Sequence, residues 1–79
     1  MLVVTHRPSK CGWEFNGDGG IVEGGARNLD ESIDSAEHAA RHYFTSRMGY
    51  PVPLEEAKRR VDHVVVAVTD APEPVPAGR

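Results

Sequence analysis

Histidines are the residues of this 79-residue chain best suited to metal or acid–base chemistry. His38 and His42 lie four residues apart in a segment with helical periodicity, and two imidazoles at that spacing can hold a metal ion. The pair lacks the glutamate of the H-E-x-x-H pattern, and helical geometry puts both imidazoles on the polar side of the helix with Glu31 and Ser35. We therefore expect an exposed polar face, with no metal site and no cofactor.

His6 and His63 form a second candidate pair, because they fall on two segments predicted to be neighbouring strands. Their imidazoles can approach each other, with Asp62 as a nearby carboxylate, and such a pair suggests acid–base catalysis or a pH-sensitive contact. No nucleophile stands beside them in a recognisable setting. We expect no catalytic residue and no enzyme; a small histidine-dependent hydrolase or nuclease, and a metal-binding protein using His38 and His42, remain alternatives.

The glycine-rich and basic stretches are explained by local structure, and binding of phosphate or calcium by the glycine-rich loops remains a minor alternative. The loop at residues 16–20 matches neither phosphate-binding glycine pattern and is typical of a tight turn. Lys58, Arg59 and Arg60 follow Glu55 and Glu56 at spacings that favour ion pairs on a short helix. Aromatic residues do not interleave this basic run, so contact with nucleic acid is not expected.

The order of predicted elements is β-β-β-α-β. Strands are predicted at residues 2–6, 13–16, 21–27 and 61–69, and residues 53–60 can add a short helix. The main helix begins after Asn28, whose side chain can cap it together with Glu31, and ends at Gly49. A right-handed crossover then places the last strand parallel to the first, giving an α+β fold with a mixed four-stranded sheet in the order 3-2-1-4 and the helix on one face.

Alternation along the strands assigns their side chains to two faces of the sheet. The predicted core consists of Trp13, Phe15, Ile33, Ala36, Ala40, Phe44, Val64, Val66 and Val68. The uncovered face is predicted to carry Val3, Thr5, Glu14, Asn16, Ile21, Glu23, His63, Val65 and Ala67. Its apolar members are too many for a solvated surface. We therefore predict a partner-binding face, occupied by another protein or by a second copy of the chain, with a homodimer as the expected assembly.

Composition is typical of one small globular domain, with 39% hydrophobic and 27% charged residues. We expect residues 1–69 to form that domain and the proline-rich residues 70–79 to form a disordered tail. A net charge of −3 argues against nucleic-acid binding over the whole surface, and a single cysteine excludes an internal disulfide. A signal peptide and a membrane-spanning run are both absent from the sequence, which favours a cytoplasmic protein that does not enter the membrane.

Three segments carry a resemblance to a known family. They are Gly12-Trp13-Glu14-Phe15, residues 24–31 leading into an alanine-rich helix, and residues 61–66. Over residues 2–69 the chain resembles the HicB family of antitoxins, particularly short actinobacterial-type members that lack the C-terminal DNA-binding segment. The resemblance implies a partial ribonuclease-H-like fold without nuclease carboxylates. It also implies a protein partner, a small RNA-cleaving toxin of the HicA type, or an orphan relative with a different role.

Overall fold

The computed structural model describes residues 1–66 of the chain. Its strands are β1 (Leu2–Arg7), β2 (Gly12–Gly17), β3 (Gly20–Gly25) and β4 (Val61–Val65), and its helices are α1 (Leu29–Met48) and α2 (Leu54–Arg59). The short helix expected within residues 53–60 is therefore present. The last strand ends at Val65, and the rest of the expected strand beyond residue 66 lies outside the described residues, as does the tail at residues 70–79. Within residues 1–66, neither helix combines the length and the apolar character needed to cross a membrane.

The four strands form one mixed sheet in the order β3-β2-β1-β4. β1 pairs antiparallel with β2, β2 pairs antiparallel with β3, and β4 runs parallel to β1. Together with one main helix, this arrangement confirms the predicted α+β layout and strand order. β4 is consequently an edge strand, although its apolar run is typical of an inner position.

Helix α1 begins and ends at the residues that the sequence indicates. The Asn28 side chain accepts a hydrogen bond from the Glu31 amide at 2.8 Å, so one unpaired donor of the first turn is satisfied. The Glu31 carboxylate accepts from the Arg27 amide at 2.6 Å, one residue before the position it would reach in a standard capping box. Gly49 ends the helix in the left-handed region with φ of 79°, a conformation that glycine adopts without a Cβ clash.

The core lies between α1 and one face of the sheet. Its buried apolar residues are Val4, Trp13, Phe15, Ala36, Ala40 and Val61. Two small alanines on α1 let the helix approach the rings of β2 closely, while Tyr43 and Phe44 are partly buried against this cluster. The packing explains why β1, β2 and α1 form a single unit.

Of the predicted core positions on the last strand, Val64 is wrong and Val68 lies outside the described residues. Val64 is exposed and Val66 is only half-buried, whereas Val61 is buried. β4 pairs with β1 so that His63 lies opposite Val4, a core residue, and side chains alternate along a strand. A shift of one position therefore moves every β4 side chain to the other face. Ile33 on α1 is likewise half-buried and lies outside the buried cluster.

Candidate functional site

The sheet face opposite α1, here called the uncovered face, is the first candidate site. The strand register places six residues of the predicted partner face on it: Val3, Thr5, Glu14, Asn16, Ile21 and Glu23. The two remaining described members, His63 and Val65, lie on the other side of the sheet, because β4 is shifted by one position relative to the prediction. Asp62 and Val64 take their places, and Ala67 lies outside the described residues.

Apolar side chains on the uncovered face remain open to solvent. Val3, Ile21 and Val64 are 49%, 63% and 43% exposed, and they come from β1, β3 and β4. Within residues 1–66 no element packs over them. A partner that covered these three side chains would remove apolar surface from water at roughly 25 cal/mol per Å².

The acidic side chains of the uncovered face are poorly compensated. Glu14 and Glu23 are direct cross-strand partners, and like charges in that position destabilise a strand pair. Arg7 lies 3.9 Å from Glu14, while Asp62 adds another exposed carboxylate opposite Val3. The face therefore combines an apolar surface with an excess of negative charge.

The second candidate site is a row of hydrogen-bonded side chains, the histidine chain, formed by Ser32, His6, His63 and Glu37. The Ser32 hydroxyl lies 2.6 Å from His6 Nδ1, and His6 Nε2 lies 2.7 Å from His63 Nδ1. His63 Nε2 lies 3.2 Å from a Glu37 carboxylate oxygen. His6 belongs to β1 and His63 belongs to β4, while Ser32 and Glu37 belong to α1. The histidine chain therefore connects the helix to two strands.

One arrangement of protons satisfies every link when both imidazoles are neutral. A carboxylate only accepts hydrogen bonds, so His63 donates from Nε2 to Glu37 and accepts at Nδ1. His6 must then donate from Nε2 to His63 and accept at Nδ1 from the Ser32 hydroxyl. Two protonated imidazoles would set N–H against N–H between His6 and His63, so the pair opposes double protonation.

Burial and charge both favour the neutral form of His6. The side chain is fully buried, and this burial lowers the pKa of His6 from its ordinary value. A positive charge on His63 lowers the pKa of His6 further, while the Glu37 carboxylate opposes both effects. The histidine chain is therefore sensitive to acid.

The histidine chain has the residue types of a proton relay but gives a substrate no access. Ser32 is only 4% exposed, and both nitrogens of each imidazole are engaged within the chain. The cavity beside Ser32 measures about 10 Å³, close to the ~10–15 Å³ that a single water needs. The geometry of the histidine chain fits an internal connection between helix and sheet.

The approach of His6 to His63 was predicted, but the carboxylate that contacts His63 was not. Glu37 takes the place expected for Asp62, which is exposed on the other face of β4. Ser32 was also missed, although it precedes Ala36 by four residues and so continues the buried stripe of α1. A polar residue within an apolar stripe was the available indication of a buried hydrogen bond.

The remaining sequence candidates lie apart from both sites. His38 and His42 are exposed on α1, and His38 Nε2 lies 3.7 Å from an Asp34 carboxylate oxygen. Among residues 1–66, no three histidine, cysteine, aspartate or glutamate side chains converge in a way that could hold a metal ion. Cys11 is an exposed free thiol in the turn between β1 and β2.

Comparisons of the chain with protein-family models, with curated proteins and with solved structures find no match.

Proposed function

We propose that the chain is a non-enzymatic protein-binding module whose uncovered face contacts a protein partner. The observation that carries this proposal is the exposure of Val3, Ile21 and Val64 on one face that no described element covers. Isolated apolar side chains on a surface are ordinary, but three on the same side of a small sheet favour a contact surface.

The charge of the uncovered face favours a partner with basic groups. In a two-fold dimer the same patch meets itself, so face-to-face packing of two copies would bring two sets of Glu14, Glu23 and Asp62 into one interface. A partner with lysine or arginine at its contact surface would instead relieve the repulsion between Glu14 and Glu23. The homodimer expected from the sequence is therefore the less favourable occupant of this face.

The resemblance to HicB-type antitoxins names a partner of suitable chemistry. An RNA-cleaving toxin must bind a polyanion, and phosphate contacts are made mainly by basic side chains. We propose neutralisation of such a HicA-type toxin as the module's role. The predicted order of elements, to which the resemblance is tied, agrees with the observed sheet order and supports this proposal.

Two adjacent valines on β4 provide a matched test of the uncovered face. Val64 is 43% exposed on this face, and Val65 is 46% exposed on the opposite side. Val64→Lys introduces a positive charge where a basic partner is expected and should weaken binding at least ~10-fold, whereas Val65→Lys should leave binding unchanged. The measurement is the concentration of each variant needed to suppress RNA cleavage by a purified HicA-type toxin.

Each result of this test has a defined meaning. Failure of the wild-type chain to suppress cleavage would contradict the antitoxin role, and equal losses for both variants would contradict the choice of face. Sedimentation equilibrium of the chain alone tests the competing occupant. A dimer that Val64→Glu dissociates would assign the uncovered face to a second copy.

A histidine-dependent hydrolase is the second candidate, favoured by the contacts of the histidine chain. When both imidazoles of the histidine chain are neutral, the Ser32 hydroxyl donates its proton to His6, as a serine nucleophile requires. Burial of Ser32 and the small adjoining cavity leave no room for a substrate carbonyl or phosphate at the hydroxyl. We therefore assign the histidine chain a structural role and propose no catalysis.

A further inference from the structure

The basic run at the end of α2 is only partly neutralised by its neighbours. Lys58 lies 3.8 Å from a Glu55 carboxylate oxygen, and Arg60 lies 3.0 Å from one of Glu56, as the sequence spacing suggests. Arg59 stands between them, and within residues 1–66 no carboxylate approaches it to ion-pair distance. Among the described residues, the positive charge of Arg59 is therefore uncompensated.

Arg59 borders a hollow of about 400 Å³ between α1, the end of α2 and the start of β1. This volume falls within the ~300–1,000 Å³ range of small-ligand sites. Its lining combines apolar side chains with guanidinium groups and includes Leu2, Tyr43, Phe44, Arg47, Arg59 and Arg60. We call it the arginine hollow. It lies on the helix side of the molecule and shares no residue with the uncovered face.

The charges around the arginine hollow fit an anionic ligand group. Arg47 pairs with Asp18, and Arg60 pairs with Glu56, so these two guanidinium groups are electrically balanced. Arg59 is the remaining guanidinium, and Met1, whose α-amino group is a further cation, also lines the hollow. Each guanidinium carries five N–H donors, so the paired arginines keep donors for a further oxygen, and arginine suits the geometry of phosphate oxygens.

Two aromatic rings stand beside these arginines. The centroids of Tyr43 and Phe44 are 5.5 Å apart. The Arg47 guanidinium lies over one face of Tyr43, 5.7 Å from its centroid, which leaves the other face of Tyr43 and the Phe44 ring for a ligand. Sites for single-stranded nucleic acid combine cationic groups along the backbone with aromatic faces on which bases stack. The basic run contains no aromatic residue in sequence, but the fold brings the rings of α1 next to the arginines of α2.

We propose that the arginine hollow binds a nucleotide unit, with the phosphate on Arg59 and the base against Tyr43 and Phe44. A phosphodiester presents a charged oxygen to Arg59, and a dinucleotide offers two bases to the two rings, which favours a nucleotide within a short single strand over a free mononucleotide. The net charge of −3 is compatible with such a site, because one or two local phosphate contacts need no basic surface elsewhere.

An NMR titration of the ¹⁵N-labelled full chain tests this site. The probes are a diribonucleoside monophosphate, a nucleoside monophosphate, the free nucleoside and inorganic phosphate. We expect the diribonucleotide to bind most tightly and to shift the amides near Tyr43 and Arg59. Arg59→Gln should weaken its binding about 10-fold or more, because a hydrogen bond to a charged group is lost.

Lys10→Gln is the matched control, since it removes one exposed positive charge at the turn after β1, outside the arginine hollow. Equal affinities of Arg59→Gln and Lys10→Gln would overturn the proposal, because only the net charge would then matter. Inorganic phosphate binding as tightly as the diribonucleotide would also overturn it, by excluding base stacking. Absence of shifts with every probe would exclude the site. Tighter binding of the mononucleotide would keep the nucleotide assignment and refute the single strand as its source.

Discussion

Acidification is expected to destabilise the fold through His6. An unfolded histidine has a pKa of about 6.5, and burial lowers the pKa of His6 in the folded chain. Between these two values the unfolded chain binds more protons, so the free energy of unfolding falls as the pH drops below about 6.5. The contribution of neutral His6 to the free energy of unfolding is fully present above about pH 6.5 and declines by at most ~1.4 kcal/mol per pH unit below it. The decline stops below the pKa of His6 in the folded chain. For a domain of this size, the largest possible loss over one pH unit would lower Tm by roughly 6–11 °C.

The assay is urea denaturation between about pH 7.5 and about pH 5.5, where most carboxylates stay ionised. Trp13 is the single tryptophan and lies directly opposite His6 on β2, so its fluorescence reports on the region concerned. His6→Gln should remove the pH dependence and cost about 1–3 kcal/mol at neutral pH, because partners in the histidine chain are left unpaired. His42→Gln changes an exposed histidine and should preserve the wild-type profile.

Stability that stayed constant or increased on acidification would refute this account of His6. So would a His6→Gln variant with the wild-type pH slope. Should that variant fail to fold, NMR titration of the wild-type imidazole protons decides the matter, since His6 must titrate below a free histidine. A His6 resonance that titrated at or above about 6.5 would show that burial does not control this residue.

Two further predictions concern a close contact in the sheet and the side-chain cap of α1. Gly24→Ala should destabilise the fold by about 1–3 kcal/mol in thermal melts, because a Cβ there would lie 2.5 Å from the Trp13 ring. Gly25→Ala is its control and should be close to neutral, since its nearest contact would be an ordinary 3.6 Å; equal losses at both positions would contradict the steric explanation. Asn28→Ala should cost about 1 kcal/mol by removing the side-chain cap on the Glu31 amide, and Asn28→Asp should retain most of that stability. A fully stable Asn28→Ala would show that the cap contributes little.

Local chemistry made the ends of α1 predictable, and a general rule of chain connection made the strand order predictable. Asn28 and Gly49 stand at the two ends of α1, and each has a short-range physical reason for being there. The strand order followed from a different constraint, because a parallel strand after a single crossover helix has few places to pair. Both inferences depend on neighbours in sequence or on general rules of connection.

The face assignment on β4 was not predictable in the same way. Val64 to Val68 is a continuous apolar run, so alternation gives no indication of which side chains point toward the helix. The register is observed in the pairing of Leu2 with Val61, and the Leu2 amide bonds to the Arg60 carbonyl at 2.9 Å at the end of α2. That register depends on where α2 ends, which the sequence indicated only weakly.

The partners of the histidines posed a similar problem. Ser32 and Glu37 each lie 26 residues in sequence from the histidine they contact. A serine and a glutamate on a helix are more often exposed. The place of Ser32 in the apolar stripe indicated burial, but it did not indicate His6 as the partner, and Glu37 had no such indication. Only the pairing of β4 with β1 brings His63 within reach of α1.

The one-residue shift of β4 also changes which partner the uncovered face should accept. In the predicted arrangement this face carried His63 and Val65, whereas the structure presents Asp62 and Val64 there. The exchange keeps one exposed valine but replaces an imidazole with a carboxylate, so the face becomes more acidic. A second copy of the chain would meet that added charge with its own, while a basic protein would neutralise it. The same shift turns His63 inward toward Glu37, where it connects β4 to α1 and is no longer available to a partner. A single register thus separates the side chain that stabilises the fold from those that remain available for binding.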